Sequence, residues 1–285
     1  MEHNDYILTL SCPDTTGIVY HVSAFLFERG GNILDSQQFG DESTGLFFLR
    51  IHFDVPPAPQ NSDSLKNEFA PIAEKFRMNW NIHARKTRAR LMLLVSKQGH
   101  CLNDLLFRWH SGQLAVDIPA IVSNHHDFEP LATSYGIPFH YLPLSADNKP
   151  QQEERMRALV QQENIDLVVL ARYMQILSPA LCNDLRGRAI NIHHSFLPSF
   201  KGAKPYWQAH DRGVKLIGAT AHYVTPDLDE GPIIEQDVAR VEHGMDPERL
   251  TAVGRDVECL VLARAVKWHV ENRILLNGHR TVVFK

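Results

Sequence analysis

The chain predicts a two-part α/β protein, and three observations in its 285 residues carry that expectation. Over residues 1–85, β-type apolar runs and helical spacings fall in the order βαββαβ. Over residues 86–285, short continuous apolar runs alternate with amphipathic stretches, the pattern of a mostly parallel sheet covered by helices on both faces. Between the two, Lys86-Thr-Arg-Ala-Arg90 reads as a solvated basic hinge.

In the first part, Asp5 to Cys12 is a β-type run stopped by Pro13. Asp14 then stands where a helix cap belongs, ahead of Ile18, Val22, Phe25 and Leu26 at i, i+4, i+7 and i+8, and Gly30-Gly31 ends the helix. Strands over Asn32 to Phe39 and Leu46 to Val55 flank a hairpin loop, Gly40 to Gly45. Leu65, Phe69, Ile72 and Phe76 give a second helix over Asp63 to Phe76, with a kink expected at Pro71. Asn79 to Ala84 closes the set as a strand.

The second part begins with the strand Leu91 to Val95 and the helix Leu102 to His110. Strands follow at Ile118 to Val122 and Pro138 to Leu142, then a charged helix, Gln151 to Glu163, and a strand, Leu167 to Ala171. Two more strands, Ala189 to Ile192 and Ile217 to Val224, each lead into Pro- and Gly-rich segments, so polar residues should gather at one edge of the sheet. Ile233 to Val241 adds another strand. Asp246-Pro247-Glu248 is a helix start, and Leu250, Val253, Val257, Val261, Ala265 and Trp268 predict one long helix ending near Asn277-Gly278. An edge strand is expected over Thr281 to Phe284.

Composition narrows the function classes. A net charge of −4 argues against broad nucleic-acid binding, which draws its affinity from Lys and Arg on phosphates. No apolar run reaches the ~20 residues of a membrane span, and Met1-Glu-His-Asn-Asp5 has no signal-peptide character, so a cytoplasmic protein is expected. Cys12, Cys101, Cys182 and Cys259 form no Cys-x-x-Cys, and the pairs His125-His126 and His193-His194 lack metal-ligand spacing, so no metal site is expected. The loop Ser96-Lys-Gln-Gly99-His-Cys101 holds one glycine where a dinucleotide fingerprint needs three, which disfavours nicotinamide chemistry despite the Rossmann-like layout.

In an open α/β sheet, ligands bind outside the carboxyl ends of the strands, which puts Asn191, His193 and Asp229 where chemistry is done. Their setting, Asn191-Ile-His193-His-Ser-Phe-Leu-Pro198 and His222-Tyr-Val-Thr225-Pro-Asp-Leu-Asp229-Glu-Gly231-Pro232, resembles the paired motifs of the folate-dependent formyltransferases. The wording from Asn191 to Tyr206 is most similar to the branch that hands the formyl group to water. Each residue taken alone has an ordinary reading as a cap, a packed ring or a turn former. The two motifs together, in order and at matching spacing, point instead to a site.

The resemblance implies that Asn191 donates to the oxyanion and that His193 joins it and passes a proton to the departing nitrogen. Asp229 would be base or proton relay, with the raised pKa expected of a partly buried carboxylate. Arg172-Tyr173-Met174-Gln175-Ile176-Leu177 resembles a segment that lines the pterin pocket, with Tyr173 for Phe and Gln175 for Arg as departures. Arg172 or Lys204 would then have to hold the folate tail. His222 and Thr225 are expected to shape the site around Asp229, and His194 to pack away from it, because its strand neighbour faces the pocket.

The order βαββαβ with Pro13-Asp14-x-x-Gly17-Ile-Val resembles an ACT domain, a ferredoxin-like module that commonly binds an amino acid and pairs with another copy. It implies an effector such as glycine or methionine at Asp14 and Gly17 and a homo-oligomer, dimer or tetramer. The ordinary reading is that Asp14 caps the helix and Gly17 permits close packing. As a whole the resemblance implies hydrolysis of 10-formyltetrahydrofolate to tetrahydrofolate and formate, with no cofactor beyond the folate. The alternatives are formyl transfer to glycinamide ribonucleotide, for which the loop at Gly99 lacks a phosphate cradle, and a non-catalytic folate or amino-acid sensor.

Overall fold

The computed structural model describes residues 4–56, 61–145, 147–197 and 205–285. It divides into two compact units, 1–88 with 271–285, and 89–270. The chain therefore returns to its first unit at the end, where the sequence predicts that the second part runs to residue 285.

In the first unit β1 (Asn4–Pro13), α1 (Ile18–Glu28), β2 (Asn32–Asp41), β3 (Leu46–Val55), α2 (Ser62–Lys75) and β4 (Asn79–Ala84) keep the expected order. The sheet is antiparallel, in the order β2-β3-β1-β4. The predicted face of α1, Ile18, Val22, Phe25 and Leu26, is buried against Leu8, Leu10, Ile51, Phe53 and Phe69. Asp14 does not cap α1. Gly17 is the N-cap at φ 91° and no side chain caps it, so the glycine answers a left-handed backbone rather than close packing. Asn61 and Ser64 form a reciprocal capping box on α2, which runs on through Pro71 on its exposed side.

In the second unit come β5 (Ala89–Val95), α3 (His100–His110), β6 (Val116–Ser123), α4 (Glu129–Ser134), β7 (Phe139–Tyr141), α5 (Lys149–Gln162), β8 (Leu167–Leu170), α6 (Pro179–Asp184), β9 (Ala189–His193), α7 (Pro205–Asp211), β10 (Leu216–Tyr223), β11 (Ile233–Arg240) and α8 (Pro247–Val270). The sheet order is β11-β10-β9-β8-β5-β6-β7. Strands β5 to β9 are parallel, and β10 and β11 add an antiparallel edge. Because β6 and β7 lie on one side of β5 while β8 and β9 lie on the other, the switch in strand order falls between β5 and β8. That crevice is where a sheet of this class takes its ligand. The expected hinge shortens, since Ala89 and Arg90 already belong to β5 and Arg90 pairs with Glu163 at 3.0 Å.

Helix α8 ends at Val270, not near Asn277. The remainder forms a hairpin, β12 (Ile274–Asn277) and β13 (Arg280–Val283), turned at Gly278 with φ 62°. Leu275 and Phe284 from this hairpin bury Phe48, which points off the face of the first unit's sheet opposite its helices. Arg50, 3 % exposed, donates to the carbonyls of Glu271 and Asn272 and pairs with Asp35 at 3.1 Å. Among the described residues no helix is long and apolar enough to cross a membrane.

Phe48→Ala opens a void beneath the hairpin and should cost roughly 3–5 kcal/mol. Urea unfolding followed by a reporter in the first unit checks this; an unchanged midpoint contradicts the packing just described.

Candidate active site

The strand β9 positions two of the three expected catalytic residues by simple alternation. Asn191 and His193 are two apart, so both side chains leave the same face of the sheet. In the antiparallel register of β9 with β10, His222 stands opposite Asn191, and Asn191 Nδ2 donates to His222 Nε2 at 3.3 Å. The other ring nitrogen, Nδ1, donates to the carbonyl of Tyr223 at 2.9 Å, which fixes the tautomer.

Asp229 arrives by another route. Because β10 runs antiparallel to β9, its end points away from the carboxyl edge of the parallel strands, contrary to the expectation that both polar loops leave at one edge. The segment from Val224 to Pro232 folds back over the sheet. Tyr223 N–H donates to Pro232 O at 2.9 Å, and Thr225 Oγ1 donates to Asp227 O at 2.9 Å. Asp229 itself has φ 59°, a left-handed backbone that Asp tolerates better than most residues. A side chain at Gly231 would strike the Tyr223 carbonyl, so only glycine lets the loop lie this close.

The result is a carboxylate facing two imidazoles. His193 Nδ1 lies 3.2 Å from Asp229 Oδ1 and His222 Nε2 lies 3.7 Å from the same oxygen. The expectation of a raised pKa is overturned. The hydrogen bond from His193, and then the facing His222, hold the Asp229 carboxyl well below the usual carboxylate range, outweighing the opposing effect of burial at 15 % exposure. His193 is 6 % exposed, and its Nε2 is buried with no hydrogen-bond partner among the described residues.

These residues line a cavity of about 260 Å³. The segment Arg172–Leu177, which leaves the switch point between β5 and β8, lines the same cavity. Ser96, at the end of β5, accepts from the Met174 N–H at 3.0 Å, and Glu153 of α5 accepts from the Ser178 N–H at 2.8 Å, so the segment is pinned at both ends. All the expected substrate-binding residues, Tyr173, Met174, Gln175, Ile176, Leu177, His222 and Thr225, reach this cavity. Met174 and Ile176 are 56 % and 60 % exposed, as side chains awaiting a partner would be, whereas Tyr173 and Leu177 also belong to the core. Burial pushes the Tyr173 phenol up, with the Glu153 charge adding to it.

Two of the remaining expectations need correction. The guess that Arg172 holds a substrate tail does not fit, because its buried guanidinium donates to Gln98 Oε1 at 2.8 Å and pairs with Glu258 at 3.4 Å. The other guess, Lys204, lies outside the described residues, as do Pro198, Lys201 and Gly202 of the motif. His194 does not pack away from the site. Strand β9 stops at His193, alternation no longer governs the next residue, and the His194 ring stacks on His193 with centroids 4.9 Å apart and lines the cavity.

Behind His194 lies a group that the sequence reading missed. Glu258 of α8, 1 % exposed, takes His100 Nε2 and the Tyr206 hydroxyl, each at 2.6 Å, beside Arg172. The ligand atoms of His100, Cys101 and Glu258 come within 4.8 Å of one another, a grouping that motif spacing did not anticipate. Gly254 is required there, since any side chain would meet the Tyr206 hydroxyl. The signal was present in the sequence: Glu258 is a carboxylate on an otherwise apolar helical stripe, which asks for a buried partner.

Residues 89–266 match the formyl transferase family model. Formyltetrahydrofolate deformylase of Corynebacterium sp. (strain P-1) is 50 % identical over 98 % of this chain and 98 % of its own length. The crystal structure of the Burkholderia mallei formyltetrahydrofolate deformylase superposes with a TM-score of 0.95 at 55 % identity, covering 99 % of this chain and all of that one. The chain belongs to the formyltetrahydrofolate deformylases. Glycinamide ribonucleotide transformylase 1 from Symbiobacterium toebii also superposes, with a TM-score of 0.64 at 27 % identity. It takes up 95 % of its own length but 70 % of this chain, so the deformylases carry additional structure.

With its carboxyl held this low, Asp229 stays ionised where ordinary Asp residues, near pKa ~3.9, take up protons. Its contribution to stability is full above the unfolded value and is lost as pH falls through the lower folded value. A ¹³C titration of the Asp229 carboxylate should therefore show no step above pH about 3, and a midpoint at 4 or higher contradicts the two-imidazole cage.

Proposed function

We propose that the cavity hydrolyses 10-formyltetrahydrofolate to tetrahydrofolate and formate, as the names of its relatives indicate. The observation that carries the reading is the meeting of Asn191, His193 and Asp229 in a single cavity that the exposed apolar pair Met174 and Ile176 also lines. That apolar pair suits the flat pterin, and the three polar residues suit a formyl group.

In this reading Asn191 supplies a fixed amide donor to the oxyanion formed when water adds to the formyl carbon. His193 donates to the same oxygen through the otherwise unpartnered Nε2 and gives that proton to the folate nitrogen as the C–N bond breaks. Asp229 stays anionic, orients His193 through Nδ1 and favours its charged form in the transition state. His222 and Thr225 hold Asn191 and the Asp229 loop. Water and folate suffice for this scheme, with no further cofactor.

Transfer to glycinamide ribonucleotide is not favoured. In the loop after β5, where a phosphate cradle would lie, Gln98 accepts from Arg172 and His100 pairs with Glu258, so these two side chains serve buried charges. We extend the reading to the first unit as an ACT-like module that pairs copies of the chain and holds an amino acid such as glycine or methionine near Asp14 and Gly17. Its sheet order β2-β3-β1-β4 with helices on one face supports this. A cytoplasmic location and a role in one-carbon balance and formate supply for purine synthesis complete the proposal.

Incubation with 10-formyltetrahydrofolate in buffer alone should release formate. Asn191→Ala should lower kcat by roughly 10² to 10³, and His193→Ala and Asp229→Asn by roughly 10² to 10⁴, with folate binding retained. Release that requires glycinamide ribonucleotide would instead indicate a transferase, and an Asp229→Asn variant at wild-type rate would remove the basis for the assignment.

A further inference from the structure

Hydrolysis needs a group that takes a proton from the attacking water, and most of the cavity's polar side chains are already engaged. Asp229 faces His193 and His222. His222 is held through Nδ1 by a carbonyl and through Nε2 by Asn191. Thr225 donates to Asp227, and Arg172 is taken by Gln98 and Glu258. His194 stands apart from these. Its ring lines the cavity, lies nearly parallel to His193 at 19°, and has no hydrogen-bond partner among the described residues.

We propose that His194 is the proton acceptor for the nucleophilic water, a catalytic role that rests on the hydrolase reading above. The ring sits beside the imidazole that serves the departing nitrogen, so a water between His194 and the formyl carbon lies next to both proton-transfer groups. Burial, then the charges of Arg172 and His193, push His194 down to about 4, against the opposing pull of Glu258 and Asp229. It is therefore unprotonated at neutral pH and has a ring nitrogen free to accept a proton. The charges of Glu258 and Asp229 offset part of what burial, Arg172 and His193 cost the imidazolium it becomes.

The step balances as follows. The water oxygen forms a bond to the formyl carbon, its proton passes to a ring nitrogen of His194, and the carbonyl electron pair moves to the oxygen held by Asn191. The C–N bond then breaks, the nitrogen keeps its electron pair and takes the proton of His193, and formic acid leaves and ionises in water. Proton return from His194 to solvent and reprotonation of His193 reset the site.

The test compares water with hydroxylamine, a neutral nucleophile strong enough to attack without a base, using the full chain and 10-formyltetrahydrofolate. Formate reports on water and formohydroxamate on hydroxylamine. In His194→Ala and His194→Gln, kcat for water should fall roughly 10²-fold or more while KM and the hydroxylamine reaction stay within about threefold of wild type. Gln accepts a hydrogen bond but no proton, so equal losses in the two variants mark a base rather than a water holder. A water rate within about threefold of wild type, full rescue by Gln, or equal loss with both nucleophiles overturns the role of His194. Wild-type protein that yields formohydroxamate but no formate overturns the hydrolase reading itself, and the proposal with it.

Discussion

The site depends on one electrostatic arrangement, an aspartate carboxylate caught between two imidazoles on a loop that has to double back to reach them. The antiparallel direction of β10 makes the detour necessary, because a strand running that way delivers its loop to the wrong edge of the sheet. Three local features make it possible. Asp229 accepts a left-handed backbone, Gly231 has no side chain to strike Tyr223, and the Tyr223–Pro232 hydrogen bond closes the base of the excursion. The attraction between Asp229 and the Nδ1–H of His193 then opposes the backbone strain of the loop. The same attraction explains why the carboxylate is a poor base and a good anchor.

A second constraint lies behind the cavity. Arg172 is buried at φ 66° in the turn after β8, and an uncompensated guanidinium there would be costly. Glu258 from α8 supplies the opposite charge, and His100 and the Tyr206 hydroxyl also hydrogen-bond to its oxygens. This network joins α3, α7 and α8 to the turn that starts the cavity wall. Burial alone would raise the Glu258 carboxyl, yet its partners hold it below the usual value, so the network is ionic rather than neutral.

Much of this was legible in the residues because the signals were local. Alternation put Asn191 and His193 on one face, helical spacing gave the buried stripe of α1 residue by residue, and the motif wording brought the Arg172–Leu177 segment to the same cavity. What failed required knowledge of direction or of partners. Strand polarity is not written in an apolar run, so the route of the Asp229 loop was misread. A carboxylate's pKa depends on what faces it, so partial burial suggested the wrong sign for Asp229. The strand rule placed His194 on the far side because the end of β9 could not be located to one residue. On α8 the visible apolar series Leu250, Val253, Val257 hid the true buried line through Gly254 and Glu258. The return of Glu271–Lys285 to the first unit is long-range packing of Phe48 and Arg50, for which no nearby residue gives notice.

The choice between water and a larger acceptor turns on groups beside the catalytic residues rather than on those residues. An asparagine, a histidine and an aspartate can serve addition of either nucleophile to a formyl carbon, so they do not discriminate. Discrimination needs something that binds the acceptor's remainder, and for a ribonucleotide that means donors for a phosphate. In this chain the turn after β5 has its glycine packed where a side chain would strike Phe128, and its neighbours Gln98 and His100 satisfy buried charge. His100, engaged with Glu258, cannot also hold a phosphate without leaving that carboxylate short of a partner, and Gln98 spends its carbonyl oxygen on Arg172. The acceptor that remains is one that needs no such hold, and it brings its own requirement, a base to remove its proton, at the position of the second histidine of the pair.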